Sequence, residues 1–255
     1  MRFFVLKKKS LALILLVVLS MILLSLDIGG GASAEVYFGN APRLVPIYSV
    51  ETDEKKVAIS FDTAWGADKT LKIIDILKEY NVDATFFMVG FWVDDYPQMV
   101  KAIDDAGIEI GTHSNTHPNF TTISVEQMKL ELESSIEKIS SITSKPVELF
   151  RAPYGAYNNT VLNLTEEMGL KTIQWSVDTL DWKGLSGVEI CERVMSRVDS
   201  GSIILCHNNA DNILDALPLM LERLINAGYK VCSVGDLILK SDYYIDNLGT
   251  QRKNN

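Results

Sequence analysis

The chain contains three histidines, and each stands beside residues able to share chemistry with it. His113 and His117 form the pair H-S-N-T-H, and His207 ends the apolar run S-I-I-L-C-H. A lone histidine is more often structural than functional. An H-x-x-x-H pair, however, brings two imidazoles to one side of a turn or helix, as a divalent ion needs, and Asn115 and Thr116 compete poorly as ligands. Asp62 follows V-A-I-S-F, Arg151 opens R-A-P-Y-G, and Asp178 and Asp181 lie in S-V-D-T-L-D-W. A carboxylate bonded to His207 would fix its tautomer and raise its pKa, the setting of a general acid near neutrality. The rigid turn Pro153-Tyr154-Gly155 suits backbone N–H groups aimed into a cleft as oxyanion donors. These residue types together suit hydrolysis at a carbonyl.

The elements that must position them are read from punctuation. Short β-branched and aromatic runs predict strands near Val57–Phe61, Ala84–Val89, Ile108–Gly111, Val147–Phe150, Lys171–Trp175, Ser202–Cys206 and Tyr229–Val234. Stretches of helical period alternate with them, such as Leu71/Ile74/Leu77, Met128/Leu132/Ile136/Ile139 and Leu217/Leu221/Leu224. Ser124 with Gln127 predicts a capping box, Pro218 a first-turn position, and Gly107, Gly169 and Gly228 helix ends. Strict β-then-α order implies a parallel α/β sheet, either closed as a barrel or open and doubly wound. In both, the polar residues above fall at strand C-terminal ends, where such folds gather their function.

The first 34 residues read as an export segment. Arg2 and Lys7–Lys9 precede the apolar run Leu11–Leu26, and Ala32-Ser33-Ala34 has the form of a cleavage site; a cleaved signal peptide is favoured over a retained membrane anchor. Either way the rest of the chain is expected outside the cytoplasm. The whole chain carries −9; without this segment, 20 Lys+Arg face 32 Asp+Glu, a net −12. So acidic a domain argues against nucleic-acid binding. Cys191, Cys206 and Cys232 are widely spaced in apolar surroundings and read as buried free thiols. Residues 35–54 are expected to be a linker, 55–240 a single domain, and 241–255 a frayed tail.

In this order the motifs resemble the polysaccharide deacetylase family, the chitin and peptidoglycan N-deacetylases with a NodB-type domain. S-F-D-T-A-W-G, H-S-N-T-H, R-A-P-Y-G, D-T-L-D-W and L-C-H match its five motifs across residues 60–207. The resemblance implies a distorted (β/α)7 barrel and a peptidoglycan or other N-acetylated polysaccharide as substrate. It implies His113 and His117 as ligands of a divalent metal, Zn²⁺ first, with Asp62 as general base and Arg151 orienting it. The Tyr154 backbone after Pro153 would bind the oxyanion. His207 would protonate the leaving amine, assisted by Asp181, with Trp182 and Leu205 lining the acetyl pocket. Thr63 stands where the family has a metal-ligand Asp, which implies weakened or absent metal binding. The F-D-x-x-W-G form is similar to sporulation-associated members, which implies a place between the spore membranes and a substrate-side role for Trp65. A monomer is expected.

Overall fold

The structure, a computed structural model, describes residues 42–254. The expected export segment lies outside the described residues. In chain order the elements are β1 (Ser49–Val50), β2 (Lys56–Thr63), α1 (Thr70–Glu79), β3 (Thr85–Met88), α2 (Gly90–Asp95), α3 (Pro97–Asp105), β4 (Glu109–Thr112), α4 (Val125–Thr143), β5 (Leu149–Phe150), α5 (Asn159–Glu167), β6 (Lys171–Thr172), β7 (Val177–Asp178), α6 (Gly187–Met195), β8 (Ile203–His207), α7 (Ile213–Asn226), β9 (Lys230–Cys232), α8 (Val234–Leu237), β10 (Tyr243–Ile245) and β11 (Thr250–Lys253).

The main sheet runs β6-β5-β4-β3-β2-β8-β7, with β9 also on β2, and its pairings are parallel. It curls into an incomplete barrel, the distorted (β/α)7 form that the motifs implied. All seven expected strands are present, and Val177–Asp178 adds a short one that the sequence pattern did not separate from its loop.

Alternation along β2 shows how the sheet divides its faces. Val57, Ile59 and Phe61 pack with Ile73 and Leu77 of α1 and Leu217 and Leu221 of α7. Ala58 belongs to a second cluster with Phe87, Ile173 and Ile203. Ser60 and Asp62 share that second face, so one strand supplies both a core and the wall of a site.

Helix punctuation is mostly as expected. The Ser124/Gln127 capping box forms, and a second box at Ser186/Glu189 starts α6. Gly107, Gly169 and Gly228 all take positive φ after a helix, where a side chain would strain the turn. Pro218 is a correction: it lies inside α7, whose first residue is Ile213, rather than in its first turn. Asn212 carbonyl instead receives the N–H groups of Asp215 and Ala216, which sets the helix start upstream of the proline.

The ends of the domain also differ from expectation. Residues 243–253 do not fray: β10 and β11 pair antiparallel, and β11 pairs in parallel with β1. Buried Gln251 exchanges hydrogen bonds with both the N–H and the carbonyl of Leu239, which fixes the last strand. Within the expected linker, Ile47 and Val50 are buried against the second core cluster. Short strands rich in polar residues lack the apolar run that would have revealed them. The three cysteines are free and buried, as expected.

Candidate active site

Parallel register assembles the first part of the site. Asp62 on β2 pairs directly with His207 on β8. Thr112 on β4 pairs with Phe150 on β5, so the next residues, His113 and Arg151, leave the sheet side by side. These residues emerge at the C-terminal edge around a cavity of about 490 Å³. Asp62, Trp65, His113, His117, Tyr154, Trp182, Leu205 and His207 line it. Arg151 and Asp181 are buried behind the wall, and Pro153 is buried beneath its turn. A smaller cavity of about 320 Å³ near the strand starts is lined by Glu109, Lys145 and Lys171 and collects no histidine.

Arg151 is fully buried and holds Asp62 in place. Its Nη1 donates to Asp62 Oδ1 at 2.8 Å, and its Nη2 donates to Ser60 Oγ at 2.9 Å and to the Gln174 carbonyl at 3.2 Å. The guanidinium also lies over the Phe87 ring at 4.1 Å. Burial pushes the Asp62 carboxyl up, but Arg151, then His113 and His207, outweigh it and hold the group below its ordinary pKa. Asp62 is therefore ionised at neutral pH.

Asp181 treats His207 in the opposite sense. Its Oδ2 accepts the His207 backbone N–H at 2.7 Å, and its Oδ1 accepts the ring Nδ1–H at 2.7 Å. Burial opposes the imidazolium, yet the Asp181 hydrogen bond and charge win and raise the His207 pKa. Asp178, the other carboxylate of the motif, caps the turn instead, accepting the Leu180 N–H at 2.8 Å. Across one cavity stand an ionised carboxylate and a histidine biased toward its acid form.

The two remaining imidazoles lie close together, with ring centroids 4.8 Å apart. His113 Nδ1–H donates to the Arg151 carbonyl at 2.8 Å, which leaves Nε2 with its lone pair 3.5 Å from Asp62 Oδ2. Burial lowers the His113 pKa further than Asp62 raises it. Burial, then the neighbouring His113, lowers that of His117 to about 4. Both rings are thus neutral nitrogen donors at pH 7 and fit a divalent ion as a pair. Among the described residues no group of three His, Cys, Asp or Glu side chains gathers to hold a metal. Thr63 does not complete the set. It is fully buried, is not part of the cavity wall, and its hydroxyl bonds back to the Phe61 carbonyl at 3.4 Å.

The backbone around the cavity is held in uncommon conformations. Of seven non-glycine residues with positive φ among those described, Ser114, His117, Tyr154 and Leu180 border the site. Tyr154 turns out with φ 61°, and its N–H donates to no group among the described residues, which leaves it available for a ligand oxygen. Gly155 has φ 65°, and a Cβ there would stand 3.1 Å from Trp175, so this turn requires glycine. The Trp65 turn is pinned through Gly66, whose carbonyl accepts from Trp92 Nε1 at 2.7 Å and Asn208 Nδ2 at 2.9 Å. Trp65, Tyr154 and Trp182 project more than half exposed around the mouth.

Several wall residues escaped the motif reading, including Trp175 and Asn209. Ser60, behind the wall, escaped as well. Its signal was present, since a polar residue two before Asp62 in an apolar strand shares the face of Asp62.

Comparison with known proteins agrees with this geometry. Residues 49–173 match the family model described as polysaccharide deacetylase. A peptidoglycan N-acetylmuramic acid deacetylase of Bacillus subtilis is 33% identical over 205 residues, covering 79% of this chain and 78% of that protein. A peptidoglycan N-acetylglucosamine deacetylase of Bacillus cereus is 31% identical over 198 residues, covering 76% and 72%. Among solved structures, a family 4 carbohydrate esterase pseudoenzyme from Bacillus anthracis is 31% identical with a TM-score of 0.74, covering 83% of this chain and 73% of that one. A mutant of that pseudoenzyme with restored enzymatic activity is 36% identical, with a TM-score of 0.74 and coverage of 76% and 71%. On the fold, the motifs and these relatives, the chain belongs to the polysaccharide deacetylase family.

Proposed function

We propose that this protein is a hydrolase that removes N-acetyl groups from amino sugars of peptidoglycan or a related polysaccharide. The observation that carries the reading is the opposed pair across one cavity: Asp62 held ionised by Arg151, and His207 held toward its protonated form by Asp181. In this reading Asp62 takes the proton from the attacking water, and the Tyr154 N–H binds the developing oxyanion. His207 delivers a proton to the leaving amine, while Leu205 and Trp182 enclose the acetyl group. His113 and His117 would hold a divalent ion such as Zn²⁺, which would act as a Lewis acid on the amide carbonyl. The test is acetate release from peptidoglycan or chitooligosaccharide with excess Zn²⁺ or Co²⁺.

The names of the relatives support a cell-wall substrate, and the basic and apolar start of the sequence supports an extracytoplasmic location, with the membrane as a partner if that segment is retained. The sporulation setting rests on the F-D-x-x-W-G form. Unchanged spore-wall muropeptides in a null mutant would contradict it. We take the protein to act as a monomer.

A second reading, a weakened family member that binds glycan without turnover, is favoured by one observation. Thr63 stands where a carboxylate ligand is expected, and its side chain serves the core rather than the cavity. The likeness to a pseudoenzyme is in keeping with it. Glycan binding with no acetate release would establish this reading over the first.

A further inference from the structure

We propose that Glu131, on helix α4, is a positioning residue that fixes the relative placement of His113 and His117 by holding the segment between them. The inference rests on the reading of those two histidines as metal ligands.

The segment is unusual for its length. In five residues it contains two non-glycine residues with positive φ, Ser114 at 71° and His117 at 60°. Such conformations are disfavoured for residues with a Cβ and persist where surrounding contacts over-determine them. Ser114 Oγ accepts the His117 N–H at 3.0 Å, and Glu131 supplies the contacts to the two residues between them. Its Oε2 accepts the successive backbone N–H groups of Asn115 at 2.8 Å and Thr116 at 2.6 Å, and its Oε1 accepts the Thr116 hydroxyl at 2.5 Å. Adjacent backbone N–H groups converging on one point form a concave anion site, here filled by a side chain of the same protein.

The same helix makes a second grip. Lys138 lies seven residues on, hence on the same helix face, and donates to Asn115 Oδ1 at 2.8 Å and to Asp94 at 2.5 Å. Gly90 and Phe91 at the start of α2 donate to the Ser114 and Asn115 carbonyls. Among the described residues, the carboxylate is the one contact that reaches the two N–H groups in the middle of the segment. The consequence for function is specific to this chain. With two imidazoles and no third His, Cys, Asp or Glu gathered among the described residues, metal affinity depends on how well two rings are held in advance.

The three histidines give three ring Cε1–H cross-peaks in a ¹H–¹³C spectrum, which provides a readout independent of metal. In metal-free Glu131→Ala the His113 and His117 cross-peaks are expected to shift and broaden, while that of His207, on a different strand, stays in place. Glu131→Gln, which keeps one acceptor oxygen, and Thr116→Val, which removes the hydroxyl donor, are expected to give smaller changes in the same two peaks. They carry the test should Glu131→Ala fail to fold. Zinc affinity of Glu131→Ala is expected to fall about tenfold, the low end for residues that orient ligands from outside. Unchanged His113 and His117 cross-peaks in all folded variants would overturn the proposal. A wild-type protein that binds no zinc would overturn the metal reading instead, and the ring spectra would still decide the role of Glu131.

Discussion

Asp181 grips His207 at two points: one carboxylate oxygen takes the backbone N–H and the other the ring Nδ1–H, each at 2.7 Å. This double contact fixes both the place of the residue and its tautomer, with Nε2 left for the cavity.

Asp181→Asn removes the charge that raises the His207 pKa while leaving the burial that lowers it. The protonated form is required for amine departure, so activity should be lost as pH rises through the His207 pKa. The variant should therefore shift the alkaline limb of the rate profile to lower pH. A loss of roughly 10²-fold in kcat is expected, the lower range for general acid catalysis. A profile unmoved on its alkaline side would assign that limb to another group.

Arg151→Met should destabilise the fold by about 3–5 kcal/mol, because it leaves the Asp62 carboxylate buried without its partner. Asp62 is only slightly exposed, so solvent offers little compensation. The sign with pH follows from linkage. In the wild type a carboxyl with lowered pKa adds stability above its ordinary pKa, lost as pH falls through the folded value. Urea unfolding at pH 7 and in acid should show this dependence weakened in the variant.

Zinc binding should change little between pH 7.5 and about 5. An ordinary imidazole would begin to lose its metal to protons near pH 6.5. Burial lowers the pKa of both His113 and His117, the latter to about 4, so protons compete late. Titration of zinc affinity against pH checks this, and a steep fall centred near 6.5 would count against these two ligands.

Thr63→Asp should tighten zinc binding by roughly tenfold or more, because a carboxylate is costly to keep unpartnered in the core place of Thr63 and gains by turning at the end of β2 toward the two imidazoles as a third, anionic ligand. Binding and acetate release rising together would place any weakness of the native protein at this position. Tighter binding without turnover would favour glycan binding alone.

How much of this was legible in the sequence depends on what each signal encodes. Asp62, His113, Arg151 and His207 could be found because each follows a predicted strand, and strand ends share one edge of a parallel sheet, while His117 was found through its H-x-x-x-H spacing. Asp181 could be preferred over Asp178 only through the family pattern, since both carboxylates follow the same strand and the choice depends on which one meets His207 in space. Glu131 was invisible, because on a helix with many exposed acids nothing marks the one that faces a loop. The ordered terminus was missed for a related reason: Gln251 is buried through hydrogen bonds, which carry no periodic apolar signal.

The most direct test of the central claim is acetate release from peptidoglycan and chitooligosaccharide by the purified protein with excess Zn²⁺ or Co²⁺, beside Asp62→Asn and His207→Ala. The account predicts release by the native protein and its loss in both variants. Glycan bound with no acetate released, or release that survives Asp62→Asn, would contradict it.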